Sequence, residues 1–326
     1  MSPLLFALAL LLMALFVYMG RYSGRVRAEH SRVIAAAPEV VQARVADLAQ
    51  WQAWNPWLEH AREASATVDG DTLAWDVPHV GRGQVRPLKA PAPQSLRQRL
   101  DFALPFAFRG RSDWRFEPAA GGGTRVTWRF KGRVAFTLRA FAATVQGATA
   151  LDLRFGLDRL AAALEDGPPA YQITYVGVQD QPLRHCAQAL YRGPLDTLAA
   201  TLPPLVADVR RQLAGAGLAA EGTAHVSYLK TQLKRRTIDC RVGVEMPGDA
   251  AAPDGIKLHE IPPHAAYVLS FDGPPEALEL AWYQAMQRLR VEQRRPDPRL
   301  PPYARYLGDS APGRRGRVDL HLPLLG

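Results

Sequence analysis

The second half of the chain contains an internal repeat, and this repeat constrains the fold more than any other feature. Residues 189–198 (Ala-Leu-Tyr-Arg-Gly-Pro-Leu-Asp-Thr-Leu) match residues 269–278 (Leu-Ser-Phe-Asp-Gly-Pro-Pro-Glu-Ala-Leu), with Gly-Pro at the same place in both. In each copy an apolar strand precedes Gly-Pro, and an acidic residue follows it where the first turn of a helix favours negative charge. The repetition predicts two similar halves that fold together.

Each copy continues into an amphipathic helix and then into further strands. The apolar residues at helical spacing are Leu198, Leu202, Leu205, Val209 and Leu213 in the first copy and Leu278, Ala281, Ala285, Met286 and Leu289 in the second. Strand-like segments follow both helices, and the last of each set, at residues 240–247 and 318–323, ends in proline. This pattern predicts a duplicated strand-helix-strand-strand domain over residues 170–326.

The duplicated unit resembles the gyrase-inhibitor-like effector-binding domains, which also occur as drug-sensing domains of bacterial transcription regulators. The resemblance rests on residues 261–267 (Ile-Pro-Pro-His-Ala-Ala-Tyr), 273–278 (Gly-Pro-Pro-Glu-Ala-Leu), 303–309 (Tyr-Ala-Arg-Tyr-Leu-Gly-Asp) and 319–323 (Asp-Leu-His-Leu-Pro). It implies that the two halves pair into one sheet and hold a ligand in the groove between them. Asp319 occupies the position where the family usually has glutamate, while Ala304 and Arg305 replace a segment that tends to contain glutamate.

The same resemblance implies a ligand site made of one acidic residue and several tyrosine rings. An acid inside an aromatic groove recognises organic cations through charge and cation–π contact. The candidates are Asp319 for the acid and Tyr191, Tyr267, Tyr283 and Tyr306 for the rings. The alternative for the tyrosines is a half-buried sheet or helix face whose hydroxyls reach water, and the alternative for Asp319 is a solvated strand residue.

Residues 28–166 carry a different pattern, that of a strand, a helix, several strands and a closing helix. Pro38 suits the first position of a helix, and three tryptophans follow within residues 51–57 (Trp-Gln-Ala-Trp-Asn-Pro-Trp). Two segments of alternating polarity, 114–116 and 126–130, flank three glycines and predict a hairpin. The closing helix is indicated by a stripe of Leu153, Leu157, Leu160 and Leu164.

This first module resembles the START-like superfamily that includes the polyketide cyclases. The resemblance rests on residues 36–40 leading into 47–57, on 123–128 (Gly-Thr-Arg-Val-Thr-Trp) and on 156–160 (Gly-Leu-Asp-Arg-Leu). It implies a helix-grip fold, in which a curved sheet wraps the closing helix and leaves an apolar cavity for a lipid, aromatic or polyketide-like ligand. Trp75 and Phe102 are candidates for the lining of this cavity, with ordinary core packing as the alternative. Trp51, Trp54 and Trp57 are expected to pack in the core and at the corner.

The first twenty residues contain no charged side chain, and residues 3–19 are almost continuously apolar. This run predicts a transmembrane anchor over residues 1–22, since a signal peptide would have positive charge before the run and a small-residue cleavage site after it. Arg21, Arg25 and Arg27 follow the run, and positive flanks stay in the cytoplasm. We therefore expect a single-pass protein of the bacterial inner membrane with both modules on the cytoplasmic side.

The remaining composition narrows the function. The net charge of +9 comes from arginines scattered along the chain, which does not predict a nucleic-acid partner. Cys186 and Cys240 lack metal-ligand spacing, and they are expected to be free buried thiols, with one disulfide as the alternative. The sequence shows no nucleophile elbow, phosphate loop, dinucleotide fingerprint or zinc motif, so we expect no metal, no cofactor and no readily identified enzyme class.

Together these patterns predict an α+β protein with an N-terminal transmembrane helix, a helix-grip domain and an effector-binding domain. The function that they favour is the binding or sensing of a small lipophilic or cationic ligand without catalysis. The alternative is a hydrolase or cyclase acting on a small hydrophobic or electrophilic substrate in one of the two pockets.

Overall fold

The computed structural model describes residues 3–61, 65–79, 81–105, 107–218, 222–232, 235–247 and 256–325. The chain divides into two compact units, Met1–Pro168 and Pro169–Gly326, and each unit has its own hydrophobic core. Each unit combines one antiparallel sheet with α-helices, which makes the protein α+β.

The segment expected to be an anchor forms helix α1, Pro3–Gly20. Its eighteen residues span about 27 Å at 1.5 Å per residue, somewhat less than the ~30 Å core of a bilayer. Among the described residues, no helix combines the length and apolarity needed to cross a membrane, so the predicted transmembrane helix is not supported. Met1 and Ser2 of the predicted anchor lie outside the described residues.

The first unit is built on a seven-stranded sheet in the order β1-β7-β6-β5-β4-β3-β2, with every pair antiparallel. Its strands are β1 Arg25–Ile34, β2 Ala66–Asp69, β3 Thr72–Val77, β4 Gly81–Leu88, β5 Ser95–Leu104, β6 Phe108–Pro118 and β7 Thr124–Val134. Burial alternates along the strands, because successive side chains point to opposite faces. The inner face carries the core, and the outer face carries most of the charged residues.

Helices cover the inner face of this sheet. They are α2 Pro38–Ala46, α3 Trp51–Trp54 and the long closing helix α4 Ala142–Ala162. The predicted leucine stripe lies on α4, where Leu153, Leu157 and Leu160 are buried. Gly156 permits close packing of this helix, since a Cβ there would approach Pro56 and Trp128 to 2.8 Å.

The second unit is built on an eight-stranded antiparallel sheet in the order β12-β9-β11-β10-β14-β15-β13-β8. Its strands are β8 Gln172–Gln181, β9 Arg184–Pro194, β10 Ala224–Gln232, β11 Thr237–Met246, β12 Lys257–Ile261, β13 His264–Gly273, β14 Tyr303–Tyr306 and β15 Gly316–Pro323. Helices α5 Leu198–Gly215 and α6 Leu278–Val291 follow β9 and β13.

The repeat seen in the sequence appears as two matching halves, β9-α5-β10-β11 and β13-α6-β14-β15. The halves meet at the β10·β14 pair, where Ala224 lies opposite Tyr306. The two remaining strands are exchanged, because β8 of the first half pairs with β13 and β12 of the second half pairs with β9. This exchange ties the halves into one sheet.

Candidate functional site

Aromatic rings fill the interior of the first unit. Trp54 is fully buried, and its ring lies 5.4 Å from Trp51, 5.9 Å from Trp114 and 6.0 Å from Trp128. Trp114 and Trp128 stack on each other at 4.2 Å. Trp51 and Trp54 therefore pack in the core, which is the structural role expected for the clustered tryptophans.

Trp57 belongs to a second aromatic group near the edge of this core. Its ring lies 6.2 Å from Trp75 and 5.3 Å from Phe102, and its indole Nε1 donates a hydrogen bond to Asp152 at 3.1 Å. Trp75 and Phe102 contact each other at 5.6 Å. The two residues proposed as cavity lining are thus neighbours, together with Phe108, whose ring stacks on that of Phe102 at 5.7 Å.

A hollow of about 710 Å³ lies on the outer face of the sheet, and Trp75, Phe102 and Phe108 are among the residues that line it. Outward-facing residues of neighbouring strands form its lining, in a row that runs Thr67, Ala74, Gln84, Asp101 and Arg109 across β2 to β6. The hollow is therefore on the face opposite α4, whereas the sequence resemblance implied a cavity between the sheet and the closing helix.

Gly83, one of the lining residues of the hollow, makes room for the Trp75 ring. A Cβ at this position would lie 2.6 Å from the ring of Trp75, so only glycine allows the indole to pack directly beneath strand β4. The chain is irregular at the same place, since the pairing of β4 with β5 shifts register between Arg82 and Gly83. The Trp75 ring thus fills the inner-face space that a side chain at residue 83 would occupy.

The rim of the hollow contains more cations than anions. Four arginines and two aspartates line it: Arg82, Arg86, Arg99, Arg109, Asp76 and Asp101. Asp101 accepts a hydrogen bond from Arg99 Nε at 2.9 Å and lies 3.6 Å from Arg109, and Asp76 lies 3.9 Å from Arg82. Arg86 forms no ion pair with any described residue, so the hollow combines apolar rings with excess positive charge.

In the second unit the four candidate tyrosines lie on the helix side of the structure. Tyr267 and Tyr306 are buried within the core that includes α5 and α6, and Tyr191 packs against that core. The Tyr267 hydroxyl donates to Glu292 at 3.3 Å. Tyr283 lies on α6 and accepts a hydrogen bond from Gln287 at 2.7 Å.

Asp319 lies on the opposite face of that sheet. Its neighbours on β15, Val318 and Leu320, belong to the core under the helices, so the alternation of the strand turns Asp319 away from them. It pairs in register with Arg305, while Tyr306 pairs with Val318. The structure therefore brings the candidate tyrosines to one face and separates Asp319 from them.

Asp319 instead shares its face with a buried polar cluster that the sequence interpretation missed. The Tyr303 ring stacks between His225 at 4.9 Å and His321 at 4.6 Å, and its hydroxyl is 3.2 Å from His264 Nε2. Gln188 Nε2 lies 2.8 Å from His225 Nδ1. The sequence signal was available in part, because His321 is two residues from Asp319 and must share its face.

Burial controls the protonation of this cluster. It lowers the pKa of His225 and of His321 to about 3, with smaller contributions from Arg305 and Arg184, and it raises the pKa of Tyr303 to about 12. Nearby, Arg305 donates two hydrogen bonds to Glu245, at 2.6 and 3.0 Å. Both imidazoles are therefore neutral in the folded protein at pH 7.

The two cysteines are free and buried. Burial raises the pKa of both thiols, Cys186 and Cys240, to about 12, and nearby acidic groups act in the same direction. A thiol of this kind is a poor nucleophile at neutral pH. Neither cysteine is therefore a catalytic candidate.

The buried histidines predict a loss of stability in acid. Unfolded His225 and His321 take up protons below about pH 6.5, whereas the folded residues stay neutral down to about pH 3. The free energy of unfolding therefore falls as the pH falls through this window, by up to about 2.7 kcal/mol per pH unit for the pair. Urea unfolding of the double variant His225→Asn/His321→Gln at pH 7.5 and 5.0 is expected to show a weaker pH dependence.

The control for this experiment is His79→Asn. His79 is exposed and has a positive φ of 62°, which asparagine tolerates, so this variant keeps the full acid sensitivity. An equal reduction in both variants would contradict the assignment of the acid sensitivity to the buried pair.

Comparison with known proteins places the first unit in a family context. Residues 25–165 match the family described as polyketide cyclase/dehydrase and lipid transport. The granaticin polyketide synthase bifunctional cyclase/dehydratase of Streptomyces violaceoruber is 26% identical over 216 residues, which cover 62% of this chain and 66% of that protein. The match thus spans slightly less than two thirds of the length of this relative.

Solved structures are also similar to parts of the chain. The C-terminal domain of EcmrR is 18% identical, with a TM-score of 0.38, over 48% of this chain and 98% of that one. Protein MLL2253 of Mesorhizobium loti is 14% identical, with a TM-score of 0.32, over 42% and 96%. Scores at this level do not establish a shared fold, so the gyrase-inhibitor-like resemblance stays a prediction. The family match does support the START-like interpretation of the first module, and residues 25–165 form a domain similar to the polyketide cyclase/dehydrase family.

Proposed function

We propose that this protein binds a small lipophilic molecule in the outer hollow of its first unit and returns it unchanged. The observation that carries the proposal is the hollow itself. Its volume of about 710 Å³ falls within the range of ligand pockets, roughly 300 to 1,000 Å³, and Trp75, Phe102 and Phe108 are among its lining residues. The family match of residues 25–165 supports a ligand-binding role for this unit.

The lining of the hollow favours an aromatic ligand that carries an acidic group. Phe102 lines the hollow and is half-buried, so its ring is the one available for stacking, whereas Trp75 and Phe108 are only 4% and 6% exposed. Planar guanidinium groups at the rim suit a carboxylate or phenolate, and Arg86 has no carboxylate partner among the described residues. Polyketide-like aromatic acids have this chemistry, and the Streptomyces relative is a polyketide synthase cyclase/dehydratase.

The alternative is an enzyme, a cyclase or hydrolase, that uses the same hollow. General acid or base catalysis needs a side chain that exchanges protons with the substrate. Both carboxylates of the hollow are engaged in ion pairs, Asp101 with Arg99 and Arg109 and Asp76 with Arg82. This pairing favours a structural role for the two acids, and therefore binding rather than turnover.

The binding proposal predicts that filling the hollow removes affinity. Gln84 lies in the middle of the lining row and points outward, so Gln84→Trp occupies the space without entering the core. We expect the affinity of this variant for 1-hydroxy-2-naphthoate, an aromatic phenol with a carboxylate, to fall by about tenfold or more. A tenfold loss corresponds to about 1.4 kcal/mol of binding free energy. Isothermal titration calorimetry measures the change.

Val33→Trp is the matched control, because Val33 is an exposed outer-face residue outside the hollow. The same affinity in the parent, the control and Gln84→Trp would contradict the assignment of the hollow as the binding site. Mass spectrometry of the recovered probe, and of a metabolite extract incubated with the protein, separates the two functions. Catalytic depletion of any compound that Gln84→Trp prevents would replace the binding proposal by the enzyme alternative.

A second candidate function is recognition of an organic cation at Asp319. The observation that favours it is that Asp319 Oδ1 is buried and has no hydrogen-bond partner among the described residues. A buried carboxylate oxygen without a hydrogen-bond donor, on the sheet face that also carries the Tyr303 ring, suits a cationic guest. Tyr191, Tyr267, Tyr283 and Tyr306 stay candidate contacts from the sequence resemblance, and their position on the helix side argues for a separate role.

This candidate predicts that Asp319→Asn weakens binding of tetraphenylphosphonium by about tenfold, because the neutral side chain no longer attracts the cation by charge. Fluorescence titration of the parent and variant provides the measurement. The control is Asp272→Asn, which changes an exposed acid on the adjacent strand β13, where Asp272 lies opposite Arg317. Undiminished binding in Asp319→Asn would exclude this residue as the cation contact.

The location expected from the sequence, the cytoplasmic side of the inner membrane, is part of the same proposal. Its support is the exposed apolar surface of α1, where side chains such as Leu11 and Phe16 are 66% and 64% exposed. Fractionation of cells that produce the full chain tests this location. Recovery of the protein apart from the membrane fraction would contradict it.

A further inference from the structure

The outer face of the first sheet organises the scattered arginines into two adjacent rows, which we call the cationic rows. Strand pairing places Arg25 opposite Arg133 and Arg133 opposite Arg109. The next row, two residues further along the strands, runs across five strands. Its members are Arg27, Lys131, Arg111, Arg99 and Arg86.

These cations are only partly neutralised. Arg99 and Arg109 pair with Asp101, and Arg111 pairs with Asp113. The other five members form no ion pair with any described residue, and they are Arg25, Arg27, Arg86, Lys131 and Arg133. Like charges directly opposite each other destabilise a sheet. The rows therefore do not serve the stability of the fold.

The neighbouring row on the same face carries no net charge, so the excess of positive charge is local. This row consists of Glu29, Arg129, Asp113 and Arg97. Glu29 accepts a hydrogen bond from Arg129 at 2.7 Å, and Asp113 accepts one from Arg97 at 2.8 Å. Acidic and basic residues alternate across this row, as expected for a solvated sheet face. The excess is confined to the end of the sheet where β1 begins and β7 ends.

Helix α1 lies at that same end. It ends at Gly20, five residues before β1 begins at Arg25, and its Phe16 ring packs on Phe136, which follows the end of β7, at 4.8 Å. Ten large apolar side chains between residues 6 and 18 are each 49% to 66% exposed. An exposed apolar helix is therefore adjacent in the chain to a surface of unpaired cations.

We propose that the cationic rows, together with helix α1, bind the surface of an anionic lipid bilayer. Juxtaposed apolar and basic elements are the combination that holds proteins at such a surface, the apolar part entering the interface and the cations contacting headgroup phosphates. A second hollow of about 560 Å³ lies along the rows and is lined by Arg25, Arg27, Lys131 and Arg133, among others. It offers several guanidinium groups to one phosphate.

A nucleic acid is the competing polyanion, and the lining chemistry favours lipid over it. Single-stranded nucleic acids are bound on basic surfaces with interleaved aromatic rings, on which the bases stack. The cationic rows contain only arginine and lysine, and the second hollow adds two glycines, Val26 and Leu88 to them. The large apolar surface beside the rows has no role in binding a phosphate backbone and a direct one in a bilayer.

The test measures flotation of the full chain with vesicles of phosphatidylcholine alone and of phosphatidylcholine with 30% phosphatidylglycerol. We expect partitioning to be at least about tenfold higher with the anionic lipid and to fall as salt rises from 0.1 to 0.5 M. The variant Arg27→Gln/Lys131→Gln/Arg133→Gln is expected to lose this gain and to keep its binding to neutral vesicles. None of the three residues lines the ligand hollow, so naphthoate binding is unchanged.

The matched control removes three exposed arginines from the second unit, Arg294→Gln/Arg295→Gln/Arg315→Gln, and retains the gain. The proposal is overturned when the first variant keeps the anionic-lipid gain, or when both variants lose it equally. A loss of salt-sensitive DNA binding in the first variant, with the lipid gain intact, assigns the rows to nucleic acid instead. Should the triple variant fail to fold by circular dichroism, the single variant Arg133→Gln and the salt titration of the parent decide the question.

Discussion

Side chains point to alternate faces along every strand, and the helices of the first unit cover only one face of its sheet. The remaining features of that unit depend on this constraint. Once Val126, Trp128 and Phe130 are committed to the core, the residues between them must face outward. The arginines between apolar residues in β1, β4, β5, β6 and β7 are thereby collected on one surface, although they are scattered in the sequence.

In the second unit the same alternation produces a different result, because both faces of the central strands are buried. The helix side of β10, β14 and β15 is apolar, while the other side carries His225, Tyr303 and His321 at 0%, 1% and 2% exposure. Buried imidazoles are costly unless they stay neutral or find partners. Both imidazole rings stack against the Tyr303 ring, and burial lowers the pKa of each to about 3, so both stay neutral.

The sequence was sufficient for those features that local pattern determines. The Gly-Pro repeat predicted the two matching halves of the second sheet, and the leucine stripe predicted α4. The START-like resemblance agrees with the family match of residues 25–165. Strand β1 has a weak sequence signal, because its first half alternates arginine with Val26 and Ala28 and contains too few large apolar residues to stand out.

Features that depend on pairing between distant strands could not be predicted from the sequence. Tyr306 and Asp319 seemed to belong to one site because the family resemblance grouped them, but the pairing of Arg305 with Asp319 and of Tyr306 with Val318 puts them on opposite faces. A one-residue difference in register would have reversed this outcome, and no local signal fixes it. The exchange of β8 and β12 between the halves is likewise a property of the complete sheet.

Charge compensation divides the outer face of the first unit into two regions with different chemistry. Around the hollow, Asp76 and Asp101 offset three of the four arginines, and Trp75, Phe102 and Phe108 are among the lining residues, so the ligand that we propose would be recognised mainly by shape and stacking. Along the cationic rows toward β1, five side chains form no ion pair with a described residue and no described aromatic residue lines the second hollow, so long-range attraction dominates. Arg86, Arg99 and Arg109 belong to the cationic rows and also line the hollow, and Asp101 holds the last two of them at this boundary. The part of the face whose charges are mostly paired suits one small molecule. The part whose positive charges are unpaired suits one extended anionic surface.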